Sequence, residues 1–158
     1  MRSTLFVVHD SSDPRQALAA QFVARISERP VDSHDAVHPP AAGAGSAAAA
    51  SRPVPGPADP GSLELREELL RRFERASKML VLIGEKTHTD AWVAWQIQAF
   101  YELKESRLRP NGWKCLRGFR IRGCDQAVMP PALDGTSTRA SNWDPDEMEV
   151  WLDREIEV

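Results

Sequence analysis

The apolar positions of the chain fall into short blocks with two different periods. Leu5-Phe6-Val7-Val8 is a compact, partly β-branched run that empties into His9-Asp10-Ser11-Ser12-Asp13-Pro14, which predicts a buried strand and then a turn. Pro14 suits the first turn of a helix, and Ala17, Leu18, Phe22, Val23 and Ile26 recur at helical spacing until Pro30. A short second strand is expected between Pro30 and Val37, carried only by Val31 and Val37. From Ser62, an apt N-cap, the helical period returns with Leu65, Leu69, Phe73 and Ala76 on one face, and Glu64, Glu67 and Glu68 near the positive helix end. Lys78 then leads into Met79-Leu80-Val81-Leu82-Ile83, the clearest buried strand, which stops at Gly84.

Beyond the loop Glu85-Lys86-Thr87-His88, Thr89 or Asp90 is placed to cap a helix. Val93, Ile97, Phe100 and the stem of Lys104 share one face of it; Trp92, Gln96 and Ala99 share the adjacent one. Pro110-Asn111-Gly112 turns the chain toward Leu116 to Arg122, where Phe119 and Ile121 alternate with arginines like a strand near a sheet edge. Pro130-Pro131 opens a long loop, and Asn142-Trp143-Asp144-Pro145 starts a last helix that turns Met148, Trp151, Leu152 and Ile156 inward. Strands alternating with helices predict an α/β fold, a three-layer sandwich around a central, mainly parallel sheet with right-handed crossovers.

Composition adds four constraints. From His38 to Gly61 the chain is almost wholly Ala, Pro, Gly and Ser, which predicts a mobile insertion within one domain spanning residues 1–158. With 20 basic and 23 acidic residues the formal charge is -3, so no global attraction to nucleic acid or to an anionic membrane is expected. Arg107, Arg109, Lys114, Arg117, Arg120 and Arg122 nonetheless form a local basic stretch where phosphate contacts would be sought, solvated strand arginines being the plainer reading. No apolar run approaches the roughly 18 residues of a membrane span, and Met1-Arg2-Ser3-Thr4 lacks the features of a signal peptide, so a cytoplasmic location is expected. Cys115 and Cys124 have no histidine near them and read as two reduced thiols, and the four histidines make no metal constellation.

The segment Val81-Leu82-Ile83-Gly84-Glu85-Lys86-Thr87-His88-Thr89-Asp90-Ala91-Trp92-Val93-Ala94-Trp95-Gln96-Ile97 resembles the TIR-like family of Thoeris antiphage systems. Gly84, Thr87, Trp92, Val93, Trp95 and Ile97 carry the likeness, and Pro130, Asn142-Trp143-Asp144 and Glu147 are similar to that family's closing loop and helix. The resemblance runs from about residue 63 to 156 and implies a flavodoxin-like TIR-like sandwich. It also implies an enzyme that cleaves the nicotinamide-ribose bond of NAD and makes an ADP-ribose-derived signal for a separate effector protein. NAD would be the substrate rather than a cofactor, and self-assembly into a homo-oligomer is a further expectation. The position of the family's catalytic glutamate is Gln96 here.

In a flavodoxin-like sheet, ligands sit beyond the carboxyl ends of the first and third strands, where the strand order switches. That places Phe6, Val8, His9 and Asp10 on one side and Gly84, Glu85 and Thr87 on the other, with Trp92 and Gln96 on the following helix; the resemblance makes all of these substrate-site candidates. Glu85 reads equally as a solvated loop residue, His88 as a capping residue, and Trp95, Trp143 and Trp151 as core. Glutamine can hydrogen-bond to a ribose, yet it carries no charge and cannot act as a general base. Either Gln96 is native in a non-catalytic nucleotide-binding or assembly module, or it stands where the parent enzyme carries glutamate; the near-isosteric exchange in an otherwise matching motif favours the second. A receiver-like regulatory domain would share the architecture, but no lysine follows the Phe119 strand to support it.

Overall fold

The computed structural model describes residues 4–37, 55–108, 115–136, 138 and 140–154. The order along the chain is β1 (Thr4–Val8), α1 (Pro14–Ile26), β2 (Val31–Ser33), α2 (His34–Val37), a 3-10 turn (Pro60–Ser62), α3 (Leu63–Arg75), β3 (Ala76–Ile83), a second 3-10 turn (Thr87–Thr89), α4 (Ala91–Leu108), β4 (Leu116–Arg120), α5 (Pro131–Asp134), β5 (Ala140–Ser141) and α6 (Pro145–Asp153). The five strands form one sheet in the order β2-β1-β3-β4-β5, with every neighbouring pair parallel. This is the α/β sandwich that the alternation of periods implies, with the flavodoxin-like arrangement that the resemblance implies.

β3 is central because both of its faces are apolar. Met79, Val81 and Ile83 turn to one face, where Leu69 and Phe73 of α3, Val93, Ile97 and Phe100 of α4, and Leu133 of α5 cover them. Leu80 and Leu82 turn to the other, beneath Ala19 and Val23 of α1 and Met148, Trp151 and Leu152 of α6. Each fully buried Leu, Ile or Phe contributes roughly 1.5–3 kcal/mol, so the two cores on β3 dominate the packing.

Several expectations need correcting. α1 buries Gln16, Ala19 and Val23 and leaves Leu18 65% exposed, so its inward face is rotated from the one read off the apolar residues. Ser62 makes no side-chain cap; its hydroxyl donates to the Gly56 carbonyl at 2.9 Å, and Asp59 caps the preceding turn. β3 begins at Ala76, directly after α3. Pro131 starts a short helix rather than a long loop, and β5 adds a two-residue edge that places β4 inside the sheet.

Of the expected insertion at 38–61, residues 38–54 lie outside the described residues. Residues 55–61 turn back onto the domain: Trp92 Nε1 donates to the Pro55 carbonyl at 2.9 Å, and Arg66 donates to the carbonyls of Pro57 and Asp59. Among the described residues no helix is long and apolar enough to cross a membrane.

Candidate functional site

From β1 the chain crosses to β2 on one side, whereas from β3 it passes to β4 on the other, so the loops after β1 and β3 lie at the strand-order switch, where sheets of this kind hold ligands in a crevice. Those loops are tied together by a residue that the sequence did not single out. Gln16, 2% exposed, accepts a hydrogen bond from the Asp10 backbone N–H at 2.8 Å. Its Nε2 lies 3.5 Å from both Asp13 Oδ2 and Thr87 Oγ1. Thr87, itself buried, accepts from the Gly84 N–H at 2.8 Å.

This network settles what Gly84 and Thr87 touch. A Cβ at position 84 would stand 2.5 Å from Gln16 Nε2, so the space that the missing side chain leaves is filled by the Gln16 amide. The Thr87 hydroxyl is likewise engaged within the loop. Asp10 is turned to its own loop, where Oδ1 accepts from the backbone N–H and hydroxyl of Ser12 at 2.9 and 2.6 Å.

Asp90, rather than Thr89, caps α4 by accepting from the N–H groups of Trp92 and Val93 at 2.9 and 3.2 Å. The cap sets Trp92 at the head of the helix, 9% exposed. Its indole N–H reaches Pro55, and its ring packs against His34 of α2, with centroids 5.4 Å apart, and against Trp95 at 5.7 Å. One turn on, Gln96 is 2% exposed and donates through Nε2 to the Trp92 carbonyl at 3.1 Å. Gln96 Oε1 is buried with no hydrogen-bond partner among the described residues. A buried amide oxygen left unsatisfied costs about 1–3 kcal/mol, so a donor brought by a ligand would be favoured at this position.

α2, which follows β2, contributes two consecutive residues to these contacts. His34 supplies the ring beside Trp92, and Asp35 Oδ2 stands 3.6 Å from His9 Nε2. Burial holds the His9 imidazole below its ordinary value, an effect partly offset by the carboxylates of Asp35 and Asp10. His9 Nδ1 is buried with no hydrogen-bond partner among the described residues.

A chain of contacts therefore links His9 and Asp35, and His34, Trp92 and Gln96, with the consecutive residues His34 and Asp35 joining the two groups. Three candidates fall elsewhere. Phe6 is a core residue, fully buried with its ring edge-on to Phe73 at 4.9 Å, because alternate positions of β1 face α3; Val8, also buried, ends the strand in that same core. Glu85 is exposed, sits 3.5 Å from Arg15, and lines a separate concavity of about 500 Å³ with residues 123–128 at the ends of β3 and β4. Arg117 is paired with Glu147 and Ser141, and Arg120 donates to the Ala127 carbonyl at 2.8 Å, so these two members of the basic stretch have structural partners.

The residues that sequence reasoning passed over left faint signals. Gln16 precedes Ala19 and Val23 by three and seven positions, so it is a polar residue on the buried helix face. His34 and Asp35 fall in a four-residue helix whose existence no periodicity announces.

A family model described as Thoeris protein ThsB, TIR-like domain, matches residues 15–109. The matched span runs from α1 through α4 and contains Gln16, His34, Asp35, Gly84, Thr87, Trp92 and Gln96; His9, Asp10 and the closing loop and helix lie outside it. No curated protein matches the chain.

Proposed function

The chain belongs to the TIR-like domain family of Thoeris protein ThsB, and from that premise we propose that it is an antiphage defence domain that takes NAD, or an ADP-ribose-derived nucleotide, into the crevice bounded by His9, Trp92 and Gln96. The observation that carries the proposal is Gln96: a buried amide whose oxygen has no hydrogen-bond partner among the described residues, one that a ribose hydroxyl would supply. The aromatic pair His34 and Trp92 offers a wall of the kind a planar base packs against.

The reaction is cleavage of the bond between nicotinamide and ribose: the bonding pair leaves with nicotinamide, and water or a nucleophile within the nucleotide itself forms the new bond at the anomeric carbon. Positive charge then builds on the ribose ring as in glycoside hydrolysis. A carboxylate at position 96 would stabilise that charge; the glutamine does not. Loss of one preorganised electrostatic partner costs about 2.7–4 kcal/mol, or roughly 10²–10³ in rate. The chain is thus a nucleotide binder with very slow turnover, and the ADP-ribose-derived product of the glutamate form is the signal that a separate effector protein receives. A cytoplasmic location and self-assembly accompany this reading.

One observation favours a second reading, in which Gln96 is native and the domain binds without turning over. The Gln96 amide donates to the Trp92 carbonyl, a bond that a carboxylate cannot make. Calorimetric titration of NAD and ADP-ribose into the chain and into its Gln96→Leu form tests the common part of both readings. Saturable binding that weakens at least about tenfold in Gln96→Leu, at a hydrogen-bond loss on the order of 1.4 kcal/mol, is expected. Binding by neither nucleotide, or binding indifferent to Gln96→Leu, would remove the site.

A further inference from the structure

The loop after β1 and the short helix α2 bring together a half-buried ionisable pair, in which the resemblance gives a site role to His9 and none to Asp35. His9 exposes 11% of its side chain and Asp35 26%, and their near atoms, Nε2 and Oδ2, are 3.6 Å apart. The charged groups acting on the imidazole among the described residues are Asp35 from α2 and Asp10 from its own loop; His34 is next to Asp35 on α2. With a carboxylate facing Nε2, the neutral ring keeps its proton there, and Nδ1 carries the lone pair. That lone pair is buried and unmatched among the described residues.

We propose that Asp35 is a positioning residue that fixes His9 as the Nε2–H tautomer, so that His9 Nδ1 accepts a hydrogen bond from a ribose hydroxyl of the bound nucleotide and releases it when His9 is protonated. The inference rests on the nucleotide reading above and adds the group that His9 recognises and a pH dependence. Two carboxylates flank His9, which disfavours a phosphate at this corner and favours an uncharged hydroxyl donor. A protonated ring has donors at both nitrogens, so Nδ1 can no longer accept. Burial keeps the ring neutral through the physiological range, and the contact is lost only toward acid.

The test is long-range proton–nitrogen NMR of the histidines in the 15N-labelled chain, with His9 assigned from a His9→Gln form, alongside titrations of NAD and ADP-ribose across pH. His9 should show the Nε2–H tautomer and titrate below 6.5, and saturating nucleotide should move its Nδ1 resonance. Affinity should fall up to tenfold per pH unit below the His9 midpoint, with this limb absent in His9→Gln. Asp35→Asn removes a charge that favours protonation, so the limb should move to lower pH while the Nδ1–H tautomer gains population. An Nδ1–H ring in the unchanged chain, or nucleotide that binds at the Gln96 site without moving His9, overturns the pair and leaves the nucleotide reading standing. Failure of both nucleotides to bind at every pH, with the NMR tautomer as expected, removes the nucleotide reading and with it the proposed contact.

Discussion

Replacing Gly84 by alanine tests whether the network around Gln16 holds the crevice in shape. Gly84 does not adopt a left-handed backbone, so the backbone itself tolerates alanine. The added Cβ would lie 2.5 Å from Gln16 Nε2, inside the 3.0 Å that real Cβ contacts respect, and the amide must retreat. Retreat draws Oε1 off the Asp10 N–H, 2.8 Å away, and leaves that donor part-buried. The lost bond and the orphaned donor cost about 1–3 kcal/mol. Alanine in place of glycine returns about 0.4–1 kcal/mol by stiffening the unfolded chain. The net expectation for Gly84→Ala is a loss of roughly 1–2 kcal/mol in urea unfolding. In a Gln16→Ala background the obstacle is gone, and the same substitution should be neutral or stabilising by up to about 1 kcal/mol. The double-mutant cycle therefore predicts a change of sign, with a coupling of about 2 kcal/mol, within the range found for touching residues. An equal cost in both backgrounds would refute the view that Gln16 occupies the space above Gly84.

Three further outcomes follow from buried polar groups. Lys78, 1% exposed, donates to the carbonyls of Trp151, Leu152 and Arg154 at the end of α6, and burial pushes its ammonium down to about 8 from 10.5. Between those values the unfolded chain holds the proton more tightly, so unfolding free energy should rise with pH from 8 to 10.5, by up to about 3 kcal/mol, in denaturant melts. Lys78→Met should flatten that rise. Trp92→Phe keeps the ring and drops the bond to the Pro55 carbonyl; a loss of about 0.5–1.5 kcal/mol and faster proteolysis before residue 60 are expected, and an unchanged cleavage rate would mean that Trp92 does not hold residues 55–57 in place. Gln96→Glu puts a carboxyl where only 2% of the residue is exposed and opposes it to the Trp92 carbonyl. Burial should raise its pKa, so this form should lose stability relative to the unchanged chain as pH rises from 5 to 8, and a pH-independent difference would count against a buried position.

The elements legible in the sequence were those whose burial writes a period. Met79 to Ile83 could be read as a two-faced strand because apolar residues fill every position, and Asp144-Pro145 announced α6 by cap and first-turn chemistry. α2, α5 and β5 are too short to show a period and exist through the contacts they complete: β5 is two residues paired with Gly118 and Phe119. Leu18 was misassigned because its neighbours on α1 are small, and the true buried face contains a glutamine. Among the candidate-site residues, Trp92 and Gln96 stand out in the sequence because they share a helix with a recognisable motif. Gln16 and Asp35 were not, because each acts on a partner on another loop or element, a relation that spacing along the chain does not encode. Phe6 is a candidate through the resemblance alone, and alternation along β1 sends it into the core.

The central claim, that this crevice handles NAD and that Gln96 sets its rate, is tested most directly by incubating NAD with the chain and with its Gln96→Glu form, separating products by liquid chromatography and mass spectrometry, with phage-infected lysate added in parallel. Release of nicotinamide and an ADP-ribose derivative at least about 10²-fold faster from the Gln96→Glu form is the predicted result. Equal rates from both forms, or no products from either although Gln96→Glu is folded and NAD is bound, would contradict it.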